Sequence, residues 1–316
     1  MARCLLRYHT SMTRRQLLAA SLATPAVWGK RHFDRSRLSA ITDEIGKTPD
    51  ESIAFAKQYG LQWVELRSVP GGKEYIYQDE AVLKATAASL RNNGLKVSFL
   101  NSSLMKFAWP GIEPARRRQE SEEAAAKRKA NEAVRYEKRM EDFRKALHAA
   151  QILGVDKLRI FTGSRGVEPR QHFARIADII GEMGFVAEKE KIHLLVENEG
   201  SCNVATSQES ADFIKLIPSK WVALNWDPQN TLALKEVPFP DGYNTLPKKR
   251  ILNVQYKGKG IMPESKERLD WKAILLALDK DGYKGCVGQE THIFDGTLIQ
   301  AAHVSMKEML RIVGEL

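Results

Sequence analysis

From residue 37 onward the chain alternates short apolar, β-rich runs with longer stretches whose apolar residues recur at helical spacing. The strand-like runs are 37–42, 61–67, 95–101, 155–162, 191–198, 221–227, 250–257 and 285–290. Helix-like stretches lie between them at 49–60, 80–94, 136–154, 173–190, 207–217 and 270–282. Several of these end in Gly just before the next strand, as a helix C-cap does.

Strand and helix in strict alternation predict a parallel sheet with right-handed crossovers. Eight such strands predict a closed α/β fold, the (β/α)8 TIM barrel, as a single domain over 31–316. An open doubly wound sheet is the rival, but it needs a Gly-rich phosphate turn after its first strand, and here that strand runs into TDEIG. One segment, Ile112 to Gly154, departs from the pattern: dense in Lys, Arg and Glu at helical spacing, it reads as a long solvated helix leading into the fourth strand. The segments 242–250 and 258–270 read as loops, which at a barrel mouth shape a pocket.

In such a barrel the chemistry lies at the C-terminal ends of the strands. LLVENEG, Leu194 to Gly200, carries an apolar strand straight into Glu197, and an unpartnered carboxylate is expensive to bury. Asp227 ends the sixth strand, Gln255 lies near the end of the seventh and Glu290 ends the eighth, each about one strand-helix unit after the last. A single acid at a strand end is ordinarily a helix cap or a loop residue; three converging on one mouth repel each other unless a cation sits among them. That oxygen-rich set predicts one divalent metal ion, Mn2+ or Mg2+ ahead of Co2+ or Zn2+, held by Glu197, Asp227, Gln255 and Glu290.

Charge and cysteine content change the picture little. Of the net charge of +10, six units come from Arg3, Arg7, Arg14, Arg15, Lys30 and Arg31, leaving +4 for the rest. A mildly basic body gives no reason to expect nucleic acid. Apolar content of 43% and charged content of 28% over 316 residues exclude disorder, collagen and a membrane bundle, and three Cys give no disulfide framework or zinc cluster. The basic start has its own reading. TRRQLLAASLATPAVWG, Thr13 to Gly29, sets a twin arginine before a short apolar run, which predicts an export signal and leader over 1–30, cleaved after Ala26, and a periplasmic protein. Met12 is then the natural start, and a basic N-terminus on a cytoplasmic enzyme is the rival. The apolar run is well short of the ~20 residues of a spanning helix, so no stable membrane insertion is expected.

DEIG, WVELR, VENEG, NWDPQN, NVQYKG and GQETH, in this order and spacing, resemble the xylose isomerase-like TIM-barrel superfamily of sugar isomerases and epimerases over about residues 37–312. The resemblance implies metal ligands at Glu197, Asp227, Gln255 and Glu290, with Gln255 standing where the pattern has His. It implies Glu197 and Glu290 as catalytic acid and base on opposite faces of a small carbohydrate, in a metal-dependent isomerase or epimerase working through an enediolate. The same chemistry with a leaving group one carbon on makes a lyase or dehydratase of a keto-sugar, cyclitol or 3-keto-glycoside. A catalytically inactive sugar-binding barrel is the alternative of another class, and a multi-zinc endonuclease is disfavoured because only His292 of the seven His lies at a strand end.

Around that core, Lys257 follows Gln255 by two and shares its face, so it is expected to act on a substrate oxygen in catalysis. Arg67, Glu44, Asn230 and His292 are expected to bind substrate, His292 being also the substitute for the missing ligand nitrogen. Trp109, in a polar loop with Pro110, is expected to floor a sugar pocket; Trp63, Trp226 and His193 read as packing residues. An exposed barrel rim permits a homo-oligomer.

Overall fold

The computed structural model describes residues 33–316 apart from residue 73 and residues 116–118; the expected leader, 1–30, lies outside the described residues. Eight parallel strands form the sheet: β1 (Leu38–Ala40), β2 (Trp63–Leu66), β3 (Lys96–Leu100), β4 (Lys157–Ile160), β5 (His193–Glu197), β6 (Val222–Trp226), β7 (Ile251–Lys257) and β8 (Val287–Glu290). They run in the order β1-β8-β7-β6-β5-β4-β3-β2, and a parallel bridge between Ile41 and Glu65 draws the ends of β1 and β2 together. The ring is therefore a nearly closed barrel, as the alternation predicts.

The crossovers are α1 (Pro49–Gln58), α2 (Glu80–Asn92), α3 (Glu122–Leu153), α4 (Phe173–Lys189), α5 (Ser207–Lys215) and α6 (Trp271–Lys280), with α7 (Leu298–Val313) packing after β8. Their ends follow local chemistry. Thr48 accepts from the Glu51 amide ahead of Pro49 at the start of α1, and Thr206 and Glu209 form a reciprocal capping box on α5. Gly154 closes α3 at φ 68°, a left-handed conformation that favours glycine. α7 is absent from the helices expected above, although LIQAAHVSMKEMLRIV carries the pattern. Between β6 and β7 a short helical turn forms at Pro228–Leu232, and the expected loop 242–250 contains another at Tyr243–Thr245.

The 32 residues of α3 span about 48 Å at 1.5 Å per residue. Its buried residues, Phe143, Ala146, Leu147, Ala149 and Ala150, all lie in its C-terminal part. Its first half is solvated, as its charge pattern indicates.

Strand periodicity divides the interior into two regions. Leu194 and Val196 of β5, Leu224 of β6 and Val254 of β7 point outward into the large core shared with the helices. Leu195 and Ala223 point inward and meet Phe99 in a small separate cluster inside the barrel. Above that apolar plug the interior turns polar: Ser39, Glu65, Asn101, Asn225, Asn253 and Gln255 are all buried and bonded to one another. Gly288 of β8 makes room for this layer, because a Cβ there would overlap the Glu65 carboxylate.

A methyl group at that point forces the layer apart, so Gly288→Ala is expected to lower unfolding stability by about 1–3 kcal/mol, the range for overpacking a close-packed interior. Urea denaturation of both proteins measures it; an unchanged midpoint contradicts the packing described.

Candidate active site

One layer above, at the C-terminal rim, the strand ends gather three buried carboxylates. Glu197 ends β5, Asp227 follows β6 and Glu290 ends β8, exposed by 1%, 0% and 4%. Oxygens of the three lie within 4.8 Å of one another. The other acid of the VENEG stretch, Glu199, turns away to Lys106 at 3.4 Å and to Ser201.

What partners these carboxylates is basic side chains from the same rim. Arg159 of β4 donates to Glu197 at 3.0 Å and stands 3.7 Å from Glu290. Lys257, the last residue of β7, sets its Nζ 2.5 Å from Asp227, 3.0 Å from Glu290 and 2.8 Å from Asn230 Oδ1. Arg67 reaches Glu290 at 3.3 Å and pairs with Asp43 and Glu44, each at 2.8 Å. Amides complete the set: Asn225 and Asn230 donate to Glu197. Asp227 also caps the turn that follows it, accepting from the backbone amides of Gln229 and Asn230. Asn198 clasps Asp227 by its main chain, donating to its carbonyl at 2.7 Å and accepting from its amide at 2.9 Å.

These partners drive the groups apart in proton affinity. Burial works against ionisation of Glu290, but Lys257, Arg159 and Arg67 outweigh it and hold its carboxyl well below the ordinary range. Burial raises Glu197, with Arg159 opposing and Glu290 adding. Burial also pushes Asp227 up to about 7 despite Lys257. The Lys257 ammonium is itself held charged: its acidic neighbours Asp227, Glu290 and Glu197 overcome burial. Five acids, Asp43, Glu44, Glu197, Asp227 and Glu290, face three bases, Arg67, Arg159 and Lys257, so by formal charge the cluster is short of two positive charges. In spacing, donor chemistry and charge, Glu197, Asp227 and Glu290 fit a hard divalent cation.

Two expected site residues are placed otherwise. Gln255 is not at the level of the carboxylates: the β7–β8 register pairs Gln255 with Gly288 and Lys257 with Glu290. Its amide donates to Glu65 at 2.7 Å and Asn101 at 3.1 Å and accepts from Asn225 at 2.6 Å, so its donors and its acceptor are taken in the layer beneath. Trp109 does not floor the mouth: it is buried against Phe107 and Tyr136, and its indole donates to the Thr162 carbonyl.

The other expected residues come to the rim. Glu44 is buried with both oxygens engaged, by Arg67 and by the His292 amide, and so props the rim from behind. His292 sits at φ 51°, uncommon for a residue with a side chain, where a ring nitrogen comes within 4.8 Å of carboxylate oxygens of Glu44 and Glu290 as a second cation-sized cluster. A cavity of about 470 Å3 opens beside the carboxylates, walled by Asn230, Lys257, Lys259, Glu267 and His292. Sequence reasoning passed over Arg159 and Glu65. Each is a charged residue inside an otherwise buried strand, the same anomaly that marks Glu197.

The sequence profile of one family, xylose isomerase-like TIM barrel, matches residues 53–311. No curated protein matches the chain by sequence. Among solved structures, the IolI protein with a bound zinc atom superposes with TM-score 0.64 at 16% identity, covering 88% of this chain and 98% of its own. A 3-keto-D-glucoside 4-epimerase from E. coli, YcjR, gives 0.61 at 15%, covering 87% and 98%. A D-psicose 3-epimerase, in a crystal containing D-fructose, gives 0.59 at 17%, covering 88% and 97%. At such identities these likenesses speak for the fold.

Two outcomes follow from the buried charges. Arg159→Met strands the Glu197 carboxylate and is expected to cost about 3–5 kcal/mol of unfolding stability; adding Glu197→Gln should recover most of it, both read by urea denaturation. Glu65 accepts from Asn101, Gln255 and Ser39, yet burial pushes it up to about 7 from 4.5. A carboxyl whose folded pKa is raised gives stability that is full below pH 4.5 and lost as pH rises through 7. Glu65→Gln should therefore shrink the stability difference between pH 5 and pH 8 by about 2–3 kcal/mol, at 1.36 kcal/mol per pKa unit; equal pH profiles would contradict the assignment.

Proposed function

The chain belongs to the xylose isomerase-like TIM barrel family, and from that premise and the chemistry of its mouth we propose that it is a carbohydrate isomerase or epimerase that moves a proton at the carbon next to a carbonyl. The observation that carries this reading is the convergence of Glu197, Asp227 and Glu290 beside an open cavity. Buried acids so close together are costly to a fold, and a reaction that needs proton transfer beside a polarised oxygen gives them a use.

In this reading the substrate enters the 470 Å3 cavity, within the usual size range of small-molecule sites. Asn230, Lys257 and His292 on its walls take the hydroxyl and carbonyl oxygens. Glu197 and Glu290, from opposite sides of the cluster, remove and return the proton. Arg159 holds Glu197 in place, and Arg67 with Glu44 holds Glu290 and the His292 backbone. Glu197, Asp227 and Glu290 would hold one divalent ion, Mn2+ or Mg2+ by their all-oxygen character; when bound, it supplies Lewis-acid polarisation of the carbonyl. The twin arginine at Arg14 and Arg15 supports export, where an unphosphorylated sugar is met. The epimerases among the structural neighbours support a carbohydrate substrate.

Deuterium exchange tests the reading. Protein loaded with Mn2+ or Mg2+ is incubated in D2O with a panel of keto-sugars and 3-keto-glycosides, and label next to the carbonyl is followed by NMR. Exchange is expected with at least one substrate, reduced on the order of 10²–10⁴-fold in Glu197→Gln and Glu290→Gln, the range for losing a general acid or base. Loss of the neighbouring hydroxyl along with the proton would mark an elimination instead. No exchange with any member of the panel overturns the enzyme reading and leaves a sugar-binding barrel.

A further inference from the structure

Of the three basic residues at the rim, Lys257 is held differently from the others. Arg159 is tied to the main chain through the Ser102 carbonyl at 3.1 Å, and Arg67 is forked between Asp43 and Glu44. Lys257 donates to the side chains of Asp227 and Asn230 and pairs by charge with Glu290 at 3.0 Å, whose Oε2 is buried and accepts no hydrogen bond. Its two acidic partners, Asp227 and Glu290, belong to the three acids that lie close enough to share a metal ion. It is also the one base of the three that lines the open cavity, whose wall includes Glu267.

We propose that Lys257 is the resident cation of this cluster, and that its ammonium and a divalent metal ion exclude one another from the carboxylates of Asp227 and Glu290. Both cations draw on the same two buried carboxylates, and a dication in contact range of an ammonium is strongly repelled. A flexible four-carbon stem lets the ammonium leave without disturbing the backbone of β7, and the adjoining cavity gives it somewhere to go. Gln255 does not compete, since its amide is committed to Glu65, Asn101 and Asn225.

Two consequences follow. The site keeps its shape without metal, because an internal cation stands in for it. Loading of the metal and delivery of Lys257 to the substrate cavity become a single event, so the lysine faces substrate only when the metal is in place. The inference rests on the functional reading only in taking the second cation to be a divalent metal.

Calorimetric titration of Mn2+ into the full chain and into Lys257→Met tests it. The variant is expected to bind at least about ten-fold more tightly than wild type. Its metal-free form should melt at a lower temperature than wild type, and Mn2+ should raise that melting temperature more than it raises that of wild type. Equal or weaker affinity in the variant overturns the proposal, as does failure of both forms to bind Mn2+. A second measurement needs no variant: acetylation of wild-type lysines, mapped by mass spectrometry, should rise at Lys257 when Mn2+ is added while exposed Lys84 stays constant. Unchanged Lys257 labelling in a Mn2+-bound chain overturns it. Neither readout uses turnover, so a chain that exchanges no sugar proton would lose its enzyme reading and still pass or fail here on its own terms.

Discussion

The molecule is organised around the neutralisation of acids that its barrel forces together. Glu197, Asp227 and Glu290 come from three strands whose ends a closed sheet must bring to one rim, and each arrives almost fully out of water. An ionised carboxylate tolerates that only with a partner. Arg159, Arg67 and Lys257 are the partners, and Glu44, Asn198, Asn225 and Asn230 aim these six by hydrogen bonds.

This requirement reaches down into the barrel. In many such barrels branched apolar side chains fill the interior in layers; here only the lower part, around Phe99, Leu195 and Ala223, is apolar. The next layer is made of amides, the Ser39 hydroxyl and one carboxylic acid, Glu65, and it grips the underside of the charged rim through Asn225, which bonds Gln255 below and Glu197 above. A satisfied polar network of this kind fixes side-chain positions more narrowly than apolar packing does. The interior of the barrel thus serves as a template for the rim, and the helices outside supply the hydrophobic burial that an apolar interior would otherwise give.

Much of this is legible in the sequence. Period-2 and period-3.6 patterns locate the strands and most helices, since each element buries one face locally. Glu197, Asp227 and Glu290 stand out because an acid closing an apolar strand has no local explanation. What the sequence does not carry is register. Gln255 and Lys257 share a face of β7, and which of them stands level with Glu290 depends on how β7 slides against β8, a tertiary fact. Trp109 stands away from the mouth for a related reason: its indole donates to the Thr162 carbonyl just past β4, in space that Gly163 leaves open. Arg159 and Glu65 were within reach, as charged residues inside buried strands, and so was α7, whose amphipathic pattern is among the clearest in the chain.

The clasp between Asn198 and Asp227 carries a consequence beyond hydrogen bonding. By engaging both the amide and the carbonyl of Asp227, the side chain of Asn198 acts as one more rung of the β5–β6 ladder beyond the last true pair, Glu197 with Asn225. The two acids flanking it are thereby tied to each other directly across the sheet, while the excursion between them, from Gly200 through α5 to β6, supports them from outside through its core residues Val204, Phe213, Ile214 and Ile217. Length changes at the solvent-facing positions of that excursion can accumulate without moving the charges, whereas its buried positions, Asn203 and Phe213 among them, must stay still.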